Sequence, residues 1–348
     1  MISRNLKILL FTAVILLFGV RYNTTEAIPE IMAQSYIVID SDSGRIIGSG
    51  NPNEKLPIAS TTKILTTILA IENIDDVEKK IEVPTACTGI EGSSIYLKPR
   101  QRVLIKDLLY GTMLRSGNDA AETLAAYAGR NSEDGFVGMM NEKAAELGAY
   151  DSNFVNSHGL NDENHYSTAY DLALISRHAM HNYMFKEISS AEKYNAQSMN
   201  TVFLNKNKVV HQYKYGNGIK IGYTKAAGRC LVASAEKDGT EIIVVVLNDN
   251  SWFQDSYKIF DWAFENYKSY QITESGQFAG NTSDGRPVFI SDGFSYLLTE
   301  EEKEKVRFES KITAPHIINK DNKAVCGVYN VYLGNEVIHT GGLVTENK

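Results

Sequence analysis

Cysteine is scarce in this chain: Cys87, Cys230 and Cys326 are the only three in 348 residues, and they stand far apart. An odd, low number without paired spacing implies neither a disulfide framework nor a zinc site. Cys230, inside the apolar run Cys230-Leu231-Val232-Ala233, reads as a small buried hydrophobe. Also missing is any run of Lys and Arg with interleaved aromatics, and the formal net charge of −7 gives no attraction to nucleic acid. A nucleic-acid partner is thereby excluded. The C-terminal stretch Gly341–Lys348 holds no amphipathic helix that could lie on a membrane.

The N-terminus has Arg4 and Lys7 ahead of an apolar run from Ile8 to Val20, and then Thr25-Glu26-Ala27. The run is short for a membrane span, and small residues stand where a signal peptidase needs them. The layout predicts a signal peptide over residues 1–27, cleaved after Ala27. The alternative is an uncleaved N-terminus that holds the protein at the outer face of the cytoplasmic membrane. Both readings place the protein outside the cytoplasm, exported and extracytoplasmic.

With 43% hydrophobic residues, the chain is long enough for one large domain and a smaller one. Ser35–Asp40 and Arg45–Gly48 flank the turn formers Ser41-Asp42-Ser43-Gly44, a hairpin. Ile64, Leu65, Ile68 and Leu69 mark a helix from Thr61 to Glu72, with Ser60 as its N-cap. Further helices are expected over Ile105–Leu114, Ala120–Ala128, Phe136–Leu147 and Ala169–Tyr183. Gly218–Tyr223, Arg229–Ala235 and Glu241–Leu247 read as successive strands, closed by a helix Trp252–Tyr267. Beyond Ser269 short strands prevail, such as Pro287–Ile290, Val306–Phe308 and Val325–Tyr329; Glu300–Lys305 reads as solvated surface. The boundaries expected are 28–268 for an α/β layer domain and 269–348 for a small all-β domain.

Three short patterns carry chemistry. In Ser60-Thr61-Thr62-Lys63 the spacing returns a hydroxyl and an ammonium to one helix face, where lysine can act as base once its pKa is lowered. Ser116-Gly117-Asn118 lies between two helices, and Lys220-Ile221-Gly222 lies on a strand, where Lys220 can meet a carboxylate and repel a proton from Lys63. Alone, each pattern fits an ordinary N-cap, loop or strand.

Their order and setting resemble the penicillin-binding and serine β-lactamase superfamily. Leu56–Lys63, Met113–Ala121, Asn156–Leu160, His165–Asp171 and Gly222–Arg229 resemble the low-molecular-mass D-alanyl-D-alanine carboxypeptidases in particular, over about residues 35–268. The resemblance implies a transpeptidase-like domain of antiparallel sheet plus helical subdomain. It implies an acyl-enzyme on Ser60, with Lys63 as general base, Ser116 relaying a proton and Asn118 holding the substrate amide. Lys220, Gly222, Tyr223 and Thr224 would bind substrate, with the Ser60 and Tyr223 N–H groups as oxyanion hole. The partners implied are peptidoglycan stem peptides ending in D-Ala-D-Ala, and β-lactams as inhibitors; no metal or organic cofactor is implied.

One position departs from the family. Ile221 stands where threonine is usual, and losing a hydroxyl bond to a carboxylate costs about 1.5–3 kcal/mol. That leaves an impaired muropeptide- or penicillin-binding scaffold as the alternative. A β-lactamase is disfavoured by the lack of a Glu-x-x-Leu-Asn motif. His158 and His165 read as organisers of a loop facing the cleft rather than as catalysts.

Overall fold

The computed structural model describes residues 27–129, 133–318 and 323–346; the expected signal segment lies outside them apart from Ala27. Strands β1 (Ser35–Asp40) and β2 (Ile46–Gly50) form the first hairpin. A 3-10 turn, Ala59–Thr62, leads into α1 (Lys63–Asn73). The helical layer continues, after a short ribbon of β3 (Lys80–Glu82) and β4 (Arg102–Leu104), with α2 (Ile105–Leu114), α3 (Asn118–Ala128), α4 (Glu133–Glu146), α5 (Ala169–Met180) and α6 (Tyr183–Ser190). A hairpin of β5 (Lys193–Ala196) and β6 (Thr201–Leu204) and the single turn α7 (Val209–Gln212) lead to β7 (Gly216–Thr224), β8 (Gly228–Lys237), β9 (Thr240–Leu247) and α8 (Trp252–Asn266).

The central sheet runs β2-β1-β9-β8-β7, every pair antiparallel, so β7 is an edge. The apolar run of β9 is buried throughout because both of its faces are covered. Ile243, Val245 and Leu247 pack with α1, α2, α3 and α5, while Ile242, Val244 and Val246 pack on Phe253, Ile259 and Phe260 of α8. Cys230 is fully buried in the first of these cores.

The expected helix Ala169–Tyr183 breaks at His181, because the Asn182 side chain accepts the Phe185 N–H (3.1 Å) and starts α6 anew. The other helix ends differ from expectation by no more than three residues, the range in which terminal turns fray.

The remaining strands are β10 (Lys268–Thr273), β11 (Phe278–Asn281), β12 (Pro287–Ile290), β13 (Phe294–Leu298), β14 (Val306–Ile318), β15 (Lys323–Leu333) and β16 (Glu336–Glu346). A second five-stranded sheet, β11-β12-β16-β15-β14, has its own core of Val288, Ile290, Tyr329, Val331 and Leu343. Gly341–Glu346 belongs to β16 and pairs with β15, since a partner strand satisfies its backbone. Glu300–Lys303 forms a helical turn, α9, through a capping box between Thr299 and Glu302, and Glu302 also receives the Arg45 guanidinium.

Candidate active site

Ser60 is not a helix cap. The left-handed Ala59 (φ +47°) turns the chain into the 3-10 turn, and the Thr61 and Thr62 hydroxyls bond back to the carbonyls of Ile58 (2.7 Å) and Ala59 (2.8 Å). These neighbours occupy the local carbonyls, so the Ser60 hydroxyl is left to face Lys63, whose Nζ lies 3.0 Å away. The Lys63 side chain is fully buried, and Nζ also meets Asn118 Oδ1 (2.7 Å) and His158 O (2.6 Å).

The burial of Nζ bears on its protonation. Burial holds Lys63 well below the usual lysine pKa range, and the charges of Lys220 and Lys206 push the same way against Asp119. A neutral amine has two N–H donors and one lone pair. Nζ donates to Asn118 Oδ1, to the His158 carbonyl and to Ser60 Oγ; once the amine is neutral, the first two, which can only accept, keep its N–H groups and its lone pair is free for the Ser60 O–H.

Asn118 opens α3. Its Nδ2 donates to Glu91 O (2.5 Å) and its backbone N–H to Ser93 O (2.7 Å), which fixes Oδ1 toward Lys63. Ser116 is buried in the connection just before, with φ +62°. Lys220 lies outside this hydrogen-bonded set. Its buried Nζ donates to Ile221 O (3.0 Å), and burial, then the Lys206 charge, lowers its pKa to about 7. Ile221 packs its side chain at the margin of the α8-side core.

The other expected binders act through the backbone or through space. A β-carbon at Gly222 would come within 2.8 Å of the Ser60 nitrogen, so glycine is what lets the edge strand close on the Ser60 turn. Tyr223 has its ring exposed, and Thr224 Oγ1 accepts the Ala227 N–H (3.0 Å) across the β7–β8 turn. Neither side chain joins the Ser60 set.

The histidines hold the loop under the site. The Val155 N–H donates to His165 Nδ1 (3.2 Å), so the ring proton sits on Nε2 and points to Thr62 Oγ1 (2.8 Å). His158 Nδ1 likewise accepts from Leu160 N (3.2 Å), which turns Nε2 toward Glu122 (3.6 Å). Burial, followed for His158 by the Lys63 charge, lowers their pKa values to about 3 (His158) and about 4 (His165), so both rings are neutral.

Two residues escape the sequence reading. Asp119, almost fully buried, accepts the N–H groups of Ile95 and Leu97 (3.0 Å each) and the Ser94 hydroxyl (2.6 Å), tying the 91–97 loop against Asn118. An acidic residue in the first turn of a helix was its only signal. Lys206 gave no signal at all; it matters because the fold brings its charge near Lys63 and Lys220.

An antiparallel sheet with helices on both faces, and a serine bonded to a buried lysine where the edge strand meets the first helix, define a transpeptidase-like serine enzyme. The family model described as D-alanyl-D-alanine carboxypeptidase matches residues 22–251. The chain is 31% identical over 304 residues to the D-alanyl-D-alanine carboxypeptidase DacF of Bacillus subtilis, spanning 81% of this chain and 78% of that one. It is 32% identical over 247 residues to DacB2 of Mycobacterium tuberculosis, spanning 68% and 84%. The fold is similar to penicillin-binding protein 5 from Haemophilus influenzae, with a TM-score of 0.80 at 24% identity over 93% of this chain and 99% of that one. This chain belongs to the D-alanyl-D-alanine carboxypeptidase family and is a serine peptidase.

Proposed function

We propose that the protein removes the terminal D-alanine from peptidoglycan stem peptides ending in D-Ala-D-Ala, through an acyl-enzyme on Ser60, and that penicillin acylates the same hydroxyl. The observation that carries this is the buried Lys63 amine, 3.0 Å from Ser60 Oγ with its other two partners pure acceptors. Lys63 takes the Ser60 proton as Oγ attacks the carbonyl between the two D-alanines. The Ser60 and Tyr223 N–H groups receive the developing oxyanion; the proximity of Gly222 to the Ser60 nitrogen supports that pairing. Ser116 passes a proton to the departing amine as the C–N bond breaks, Asn118 orients the substrate amide, and Lys220 binds the terminal carboxylate. Water then attacks the ester and restores Ser60.

No observation favours the impaired scaffold, since Ile221 leaves the Ser60–Lys63–Asn118 set complete. The localisation we infer is extracytoplasmic, supported by the family's cell-wall substrate. The same reading takes residues 1–27 as the export signal, or as a tether if uncleaved, and divides the rest at 268/269, supported by the separate core of the second sheet.

The test is D-alanine release from a Lys-D-Ala-D-Ala peptide by the purified 28–348 chain. Release that is lost in Ser60→Ala is expected, with a rise of about tenfold in Ile221→Thr if the missing hydroxyl sets the rate. A folded wild type and a folded Ile221→Thr that both release nothing would overturn the reading.

A further inference from the structure

The loop from Asn156 to Leu160 closes on itself and against α1. Asn156 Oδ1 accepts the N–H groups of His158 (3.3 Å) and Gly159 (2.7 Å), and its Nδ2 donates to Leu160 O (3.1 Å). The Thr66 hydroxyl donates to Ser157 O (2.6 Å), and the Leu160 N–H to His158 Nδ1 (3.2 Å). Ser157, His158 and Gly159 are buried. So held, the loop sets the His158 carbonyl 2.6 Å from Lys63 Nζ and 3.4 Å from Ser60 Oγ.

One trans peptide plane carries both that carbonyl and the Gly159 N–H, which point in opposite directions. The N–H is bonded to Asn156 on one side and the carbonyl to Lys63 on the other. Residue 159 has to be glycine, since φ is +84° and a β-carbon would meet Ala59 O at 1.9 Å. Glycine populates φ of both signs, so the chain alone does not choose which end of this plane faces Lys63. Turned over, the plane would aim the Gly159 N–H at Nζ. A neutral amine would then accept that N–H on its lone pair and have none left for the Ser60 O–H. The bond from Gly159 N–H to Asn156 Oδ1, the shortest of the three that Asn156 makes within the loop, opposes that turn.

We propose that Asn156 is a positioning residue for the proton transfer: by holding the Gly159 N–H it keeps the His158 carbonyl on Lys63 Nζ, and so keeps the Lys63 lone pair for Ser60. This rests on the carboxypeptidase reading above, in which Lys63 is the base. Losing the bond slows the chemical step and leaves ground-state binding alone, because Asn118 and Lys220 are held by other partners.

The test is stopped-flow acylation of the 28–348 chain by a chromogenic β-lactam, resolved into the binding constant Ks and the acylation rate constant k2, with D-alanine release measured beside it. Asn156→Asp keeps Oδ1 for the two N–H groups, and Asn156→Ala removes it. The expected k2 falls about tenfold in Asn156→Ala and about threefold in Asn156→Asp, with Ks within about twofold of wild type in both. For the peptide, kcat falls in the same order and KM holds. Should Asn156→Ala fail to fold, Asn156→Ser, whose hydroxyl stops one bond short, takes its place. A folded Ala or Ser variant with the wild-type k2, a loss carried by Ks, or an Asp variant slower than Ala overturns the positioning role while leaving the carboxypeptidase intact. Folded wild type that is neither acylated nor releases D-alanine overturns both.

Discussion

A β-carbon at Gly222 would lie 2.8 Å from the amide nitrogen of Ser60 and 3.1 Å from the Ala59 side chain. The edge strand and the nucleophile turn are closed against each other with no room for a methyl group. Gly222→Ala should push the two apart by a few tenths of an ångström and misplace the oxyanion donors. We expect acylation by a chromogenic β-lactam to slow by about 10²-fold, with a drop in Tm of only a few degrees. Gly159→Ala should be worse for folding: there φ is +84° and the added carbon would meet Ala59 O at 1.9 Å.

The pH profile should separate the two buried lysines. With Lys63 as the proposed base, catalysis needs it neutral, so kcat/KM should rise as Lys63 deprotonates, at a pH well below the ordinary lysine range. With Lys220 as the proposed carboxylate binder, binding needs it charged, so kcat/KM should fall again as free enzyme loses that proton near pH 7. Lys220→Arg cannot lose its charge and should abolish the alkaline limb. An unchanged limb in an active Lys220→Arg enzyme would assign it to another group.

His158 and His165 make folding sensitive to acid. Below about pH 6.5 each imidazole of the unfolded chain takes up a proton, while the folded ones stay neutral down to about 3 and about 4. Stability is therefore lost as pH falls through that window, by on the order of 3 kcal/mol for His165 by pH 4. His165→Gln keeps one acceptor for Val155 N–H and one donor for Thr62. Urea midpoints measured from pH 7 to 4 should fall less steeply for it than for the wild type.

Arg45 ties the first hairpin to β13 and α9. From the first hairpin its guanidinium bonds to Leu297 O and Glu302 and lies 5.6 Å and 5.1 Å from the ring centroids of Tyr267 and Tyr296. The pair is mostly buried, with side chains 13% and 25% exposed. Arg45→Ala should cost about 2 kcal/mol by chemical denaturation and speed proteolysis near residue 268. A double-mutant cycle with Glu302→Ala should show coupling of about 1 kcal/mol; additive losses would rule out the pin.

The reading of the sequence held where the physics is local. The alternation and apolar runs of β1, β8 and β9 and the 3.6-residue pattern of α1 and α2 set those elements, since they depend on neighbours a few residues apart. The Ser60–Lys63 pair was legible for the same reason, being three residues apart. The N-cap expectation for Ser60 failed because Ala59 and the two threonine hydroxyls compete for the turn, and the break at Asn182 was hidden inside an unbroken helical pattern.

The sequence by itself thus determined the elements, the order of the three motifs and the nucleophile with its neighbour. Only the tertiary structure decided the protonation of that neighbour. Burial lowers the pKa of the Lys63 amine, which His158 O and Asn118 Oδ1, 95 and 55 positions away, hold in place, and Lys220 and Lys206 bring charge from still further along the chain. Desolvation and charge repulsion depend on distance in space, and no local pattern encodes them.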